Sequence, residues 1–315
     1  SYLRMGLNGL GGELYSQAQF GDTLLLRAGL YQPLDLGARY FVQPYFGYED
    51  YRVRALGPES GVTEFLGEWR VRSLRAELAG GVNLFDNTQL RLGLFRGAGE
   101  YREDDFGRGA LDEDDFDEGG VLASLRFDTL DDPFFPTEGS FLYADYEAHR
   151  EDLGSSTDFE RWRAIGLTAF SFGRDSANTI ILSGKTGQSI DATDSPQNYF
   201  RLGGLFNVSG LGHNYFSGRQ MAFAMAQYQR RLSDNSVLPL NLPVYVGVSI
   251  EGGQLWSDRD DVSSGDFVNA GSIYLAVDSP LGPVYVAYGR TEEQQDGLYL
   301  SLGWPFLTQF QRLGR

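Results

Sequence analysis

The sequence predicts an all-β chain, a transmembrane antiparallel β-barrel of about sixteen strands, and three observations carry that expectation. Apolar residues recur with a period of two in segment after segment, the spacing of a strand with one apolar face rather than that of a helix. Connections alternate between short turns ("NLFDNTQ", "FGRDSANT", "DSPLGP") and long acidic or glycine-rich loops at Arg102–Glu118, Asp191–Gly218 and Ser257–Asn269, as in a barrel with one short-turn rim and one long-loop rim. The apolar rows are free of basic residues, as a lipid face must be where each mid-membrane Arg or Lys costs about 2–4 kcal/mol.

The rows are explicit. Leu298, Leu300, Leu302 and Trp304 alternate with Tyr299, Ser301 and Gly303; Val244, Val246, Val248 and Ile250 with Tyr245, Gly247, Ser249 and Glu251. Val284, Val286 and Tyr288 oppose Tyr285, Ala287 and Gly289, and Leu90, Leu92 and Leu94 oppose Arg91 and Gly93. Arg126, Asp128, Asp145, Glu147 and Lys185 fall on the inner faces, giving a charged interior fit for water or a plug. In chain order the candidate strands are Tyr2–Leu7, Gly11–Phe20, Thr23–Gln32, Arg39–Tyr51, Thr63–Arg72, Leu74–Phe85, Thr88–Tyr101, Phe116–Asp128, Ser140–Arg150, Asp158–Phe172, Thr179–Ile190, Arg219–Leu232, Pro243–Trp256, Gly271–Val277, Val284–Arg290 and Leu298–Phe306. Two places strain the count. Thr63 to Phe85 has no turn signal at Arg72 and can be one long strand, whereas "LRMGLNGLGGEL" leaves so little room for a hairpin that residues are suspected missing near Leu7–Asn8.

Composition narrows the function without deciding it. The chain has 315 residues, 14% of them aromatic, with 41 glycines, which fits a packed β-rich object. Its 26 basic and 43 acidic residues give a net charge of −17, which disfavours nucleic acid and anionic phospholipid as partners. The absence of cysteine excludes a disulfide framework and thiolate metal sites. No basic-then-apolar signal region follows Ser1, so the chain reads as cytosolic or as a mature fragment of something longer. A mean hydropathy of −0.30 suits a soluble protein and a barrel alike, because barrel strands show lipid only every second residue. A soluble β-sandwich also alternates, so the choice rests on the loops and the number of strands.

Catalytic signatures are missing. There is no G-x-S-x-G elbow, no H-E-x-x-H pair and no phosphate-binding G-x-x-x-x-G-K-[ST] loop, so no catalytic residue, cofactor or metal is assigned. His149 and His213, the only histidines, sit in or beside loops and read as solvated residues. In "YREDDFGRGALDEDDFDEG", Asp112, Asp114 and Asp115 offer calcium ligands but lack the glycine and terminal glutamate of a calcium loop. The alternative is a solvated external loop, bridged to lipopolysaccharide phosphates by divalent ions.

One turn is unusually demanding. "RFDTLDDPFFPTEGSFL" joins two candidate strands on the short-turn rim: its aspartates suit backbone capping, Pro133 and Pro136 remove donors that could pair with another edge, and Gly139 permits positive φ. Its Asp131, Asp132, Pro136 and Gly139, with Asp128 upstream, resemble the D-x-x-x-x-P-x-x-G element of the outer-membrane assembly and secretion barrels, the surface-antigen (BamA/TamA/FhaC-like) superfamily. "YFRLGGLFNVSGL" resembles the G-G…V-R-G-[FY] loop of the same family. By that resemblance the long extracellular loop folds inward and Glu251 is the acidic wall residue it meets. Ser209, flanked by Val208, Gly210 and Leu211, stands where the family has arginine, so the family's ion pair is replaced by a hydrogen bond worth about 1.5–3 kcal/mol.

That serine, "YQPL" at Tyr31–Leu34 followed by "YFVQPY", and Glu251, Gly252 and Trp256 resemble most the barrel of patatin-like phospholipase, type Vd, autotransporters. The resemblance implies a translocator, residues 1–306, with a tail at 307–315. It also implies an N-terminal lipolytic passenger and a periplasmic transport-associated domain outside this chain. The implied partners are outer-membrane lipids and lipopolysaccharide, the outer-membrane assembly machinery and a second copy in a homodimer. "SYLRMGL" and "LYLSLGWPF" are the expected partners across a weak seam. The alternatives are a protein-insertion or two-partner-secretion barrel, a passive porin and a soluble β-rich binding domain.

Overall fold

The computed structural model describes residues 2–21, 23–56, 65–103, 113–193, 195–232, 242–256 and 267–303. The strands are β1 (Tyr2–Arg4), β2 (Glu13–Gln19), β3 (Thr23–Pro33), β4 (Tyr40–Leu56), β5 (Phe65–Leu84), β6 (Thr88–Glu103), β7 (Glu113–Asp128), β8 (Glu138–His149), β9 (Phe159–Phe172), β10 (Asn178–Ile190), β11 (Phe200–Leu202), β12 (Phe216–Gly218), β13 (Gln220–Leu232), β14 (Val244–Trp256), β15 (Val268–Ser279), β16 (Gly282–Thr291) and β17 (Asp296–Leu302). Fifteen of them form one sheet in the order β1 to β10 then β13 to β17, with every neighbouring pair antiparallel. β11 and β12 form a separate hairpin. No helix among the described residues is long and apolar enough to cross a membrane.

Alternation decides which way each side chain points. Leu298 and Leu300 are 83% and 81% exposed and Ile250 is 71% exposed, while their neighbours Tyr245, Ser249, Glu251 and Tyr285 are buried on the other side of the sheet. An apolar row of that extent has a physical rationale only against lipid, with the polar and small residues facing the lumen. Arg27, Arg75, Arg91, Asp145, Glu147 and Lys185 are all buried inside. Arg75 joins Glu77 at 2.8 Å and Glu147 at 2.9 Å, and Arg163 joins Asp145 at 2.5 Å. These ions compensate one another as groups withdrawn from water must.

Several expectations change. Thr63–Arg72 and Leu74–Phe85 are not two strands: β5 runs unbroken and pairs β4 and β6 across Arg72 and Ser73, because the alternation continues there and no turn former interrupts it. β1 and β2 are joined by a turn in which Leu7 N–H donates to Gly12 O at 2.8 Å. β1 and β17 are the two ends of the sheet and, among the described residues, are not paired. Fourteen antiparallel steps separate them, so they run in the same direction and cannot form an antiparallel ladder with each other.

The acid-rich loop is shorter than Arg102–Glu118, since Arg102 pairs with Glu113. Asp114 and Asp115 are successive strand residues that point to opposite faces, which prevents joint chelation; Asp112 lies outside the described residues. His149 is no solvated residue. It is fully buried at the end of β8, its ring 3.9 Å from that of Phe159. Arg96 faces outward between Leu94 and Ala98, against the expected absence of outward basic residues, and its guanidinium binds the Leu153 and Gly154 carbonyls beyond β8. The boundary between barrel and tail at 306/307, and the chain end "LTQFQRLGR", lie outside the described residues.

Candidate functional site

Between β10 and β13 the chain does not cross the wall but fills the lumen. Phe200, Leu202, Leu205, Phe206, Val208 and Leu211 are buried with inward residues of β9, β10 and β13 to β16 in one apolar cluster. The tip is tightly wound. Asn207 O accepts from Gly203 N at 2.7 Å, and Phe206 and Val208 hold φ of 58° and 73°, a costly conformation for a β-branched residue that the surrounding packing must enforce. Gly210 has φ 111°, and a Cβ there would lie 2.8 Å from Gln295 O and Thr291 N.

Val208 and Ser209, each fully buried, meet Glu251 of β14. Val208 N and Ser209 N donate to Glu251 Oε2 at 2.9 and 2.8 Å, and Ser209 Oγ donates to Oε1 at 2.7 Å. Ser249 Oγ adds a bond of 2.6 Å to Oε1 from the wall itself. A carboxylate held by this density of donors stays satisfied without water. Gly210 and Leu211 do not reach Glu251. Gly210 N donates to Tyr299 Oη at 2.7 Å, and that hydroxyl donates to Leu211 O at 2.7 Å. The loop tip is thereby tied to β17, the end strand of the sheet.

The second predicted cluster lies between β7 and β8. Asp131 Oδ1 accepts from Thr137 N at 2.8 Å and Glu138 N at 3.1 Å, and its Oδ2 accepts from Thr137 Oγ1 at 2.5 Å. Burial opposes ionisation of Asp131, but the Thr137 hydroxyl and the Glu138 and Thr137 N–H groups outweigh it and hold the carboxyl below its ordinary range. Asp132 Oδ1 accepts from Phe134 N and Phe135 N, both at 2.7 Å, and Asp128 Oδ1 from Leu130 N at 3.1 Å. Gly139 has φ 100°, and a Cβ there would meet Thr129 O at 2.1 Å. Pro133 and Pro136 bracket the two phenylalanines that this winding turns inward.

The two clusters share one core. Phe135, 2% exposed, stacks on Tyr245 at 4.1 Å with nearly parallel rings and lies 5.9 Å from Tyr285. Phe206 of the loop tip meets Tyr285 and Tyr274 edge-on at 5.5 and 5.2 Å. Aromatic contacts therefore run through the lumen from the short-turn rim to the loop tip. Sequence reasoning missed Phe135, Asn207 and Tyr299 as participants. Tyr299 carried a signal: it is the large residue on the otherwise small inner face of "LYLSLG".

A family model described as the Omp85 superfamily domain matches residues 27–306. No curated protein matches the sequence. Among solved structures, BamA from Haemophilus ducreyi lacking POTRA domains 1–3 is similar with a TM-score of 0.72 at 13% identity, over 95% of this chain and 64% of that one. CdiB from Escherichia coli gives 0.60 at 15% identity over 93% and 55%, and CdiB from Acinetobacter baumannii 0.57 at 13% over 92% and 53%. At these identities the likeness is one of fold, and the chain spans less than two thirds of each of these structures.

Proposed function

The chain belongs to the Omp85 superfamily of bacterial outer-membrane insertion and secretion barrels, and from that premise we propose that it is the translocator domain of a patatin-like, type Vd autotransporter. The barrel carries no chemistry of its own; it displays or secretes a lipolytic passenger joined to it through a periplasmic transport-associated domain. The observation that supports this reading is the contact at 2.7 Å in which a neutral donor, Ser209 Oγ, meets the Glu251 carboxylate. A plug held by neutral donors leaves the lumen without pulling a guanidinium away from a buried carboxylate, a separation that costs about 3–5 kcal/mol.

A second reading, a protein-insertion or two-partner-secretion barrel, is favoured by the fold likeness to BamA and CdiB, which extends over nearly the whole chain. The gene upstream of Ser1 discriminates the two. A G-x-S-x-G elbow followed by one transport-associated domain supports the autotransporter, and protease added to intact cells should then remove a lipolytic domain from the surface. Several transport-associated repeats with no lipase domain would overturn it in favour of the second reading. Purified chain that remains monomeric in buffer without detergent would overturn both.

A further inference from the structure

We propose that Lys185 of β10 is the positive partner of the loop contact, gripping Asn207 from one side while Glu251 grips Val208 and Ser209 from the other. This rests on reading Val208–Leu211 against Glu251 as a latch. The segment Val208–Leu211 offers Glu251 no cation, and the carboxylate, 5% exposed, is held on the loop side by the neutral donors Val208 N, Ser209 N and Ser209 Oγ alone.

Lys185 is equally hidden, at 3% exposure. Register places the two on either side of β13. Lys185 pairs with Phe223, Phe223 with Gly253, and Met225 with Glu251, so both side chains enter the lumen one strand removed from each other. The loop tip occupies the space between them. Lys185 Nζ donates to Asn207 Oδ1 at 3.1 Å and lies 5.3 Å from the Phe223 ring centroid; Asn207 Nδ2 donates to Gly203 O at 3.1 Å, which fixes the amide for that role. Three consecutive loop residues are thus strapped across a wall cation and a wall anion.

The arrangement moves the positive charge from the plug to the wall. The tip from Gly203 to Leu211 carries no charged side chain, so it leaves this contact as a neutral segment, and the two wall charges stay behind, able to relax toward each other as it departs. Lys185 is a positioning residue for the plug.

The test uses the full chain in outer membranes, scoring only barrels whose heat-modifiable migration shows them folded, and follows proteinase K cleavage within residues 191–218 by mass spectrometry. Lys185→Met is expected to speed cleavage roughly tenfold, the loss of one charge-assisted bond. Ser209→Arg alone, which crowds a second cation beside Lys185, should also speed it. The Lys185→Met/Ser209→Arg double variant, with the cation now on the loop, should return to within about twofold of the parent. Should Lys185→Met leave no folded fraction, Asn207 decides. Asn207→Ala should loosen the loop and Asn207→Asp should slow cleavage below the parent rate, whereas equal rates for the two would overturn the proposal. Parental cleavage in Lys185→Met beside fast cleavage in Glu251→Ala would overturn the role of Lys185 alone. Parental cleavage in both would overturn the latch itself.

Discussion

Replacing Glu251 with alanine removes the acceptor shared by the loop and the wall. Val208 N and Ser209 N, bonded to it at 2.9 and 2.8 Å, belong to residues with no solvent exposure, so both lose their partner inside the barrel. The two hydroxyls suffer less: Ser209 Oγ keeps its bond from Phe206 N at 3.0 Å, and Ser249 Oγ keeps Ser272 Oγ at 2.7 Å. Each stranded N–H costs about 1–3 kcal/mol. Part of that is offset because the variant no longer buries a carboxylate. A net loss of about 2–3 kcal/mol follows, enough to raise the population of the displaced loop by roughly 30- to 150-fold at a factor of ten per 1.4 kcal/mol. Two assays read it: proteolysis of residues 191–218 in folded barrels, and conductance of single barrels in planar bilayers, which should show frequent larger openings. Unchanged proteolysis together with unchanged conductance would refute the reasoning, because the loop would then be held by its apolar packing alone.

Tyr299→Phe keeps the ring but deprives Gly210 N and Leu211 O of their shared partner, and should loosen the same loop by about 1–3 kcal/mol; parental protease resistance would show that β17 does not restrain it. Phe135→Ala opens a cavity under Tyr245 and Tyr285 and should lower the unfolding free energy of the barrel in urea by about 3–5 kcal/mol, with a loss below about 1 kcal/mol counting against the shared core. For Asp131 the folded carboxyl titrates below its unfolded value, so its contribution is present above the unfolded pKa of about 3.9 and lost as pH falls through the lowered folded value. Asp131→Asn should therefore flatten the acid limb of barrel stability in that window, and an identical acid limb in the variant would remove Asp131 from the account.

Local chemistry made much of this protein legible in its sequence. A period of two tells lipid face from lumen face wherever one row is apolar, which is why Leu298, Leu300 and Ile250 were readable as outward and Lys185 and Glu147 as inward. Turn residues report their own backbone needs, so Gly139 and the aspartates of "DTLDDPFFPTEG" announced a wound connection. The same local signals misled where context overrides them. His149 sits next to a loop in sequence and is sealed between Phe159 and Phe95 in space. Arg96 occupies an outward position because carbonyls beyond β8 reach back to receive it.

By itself, then, the sequence determined the class of object, the two faces of its strands and the two segments that break the pattern, since each of these depends on residues within a few positions of one another. Only the tertiary structure decided what those segments touch. Phe135 and Phe206 come from opposite ends of the barrel and meet the same Tyr285, Tyr299 reaches the loop from the end strand, and Lys185 and Glu251 converge on Asn207–Ser209 from strands separated by β13. These contacts depend on how the sheet curls and how far the loop folds into it, and no local pattern encodes a distance across the lumen.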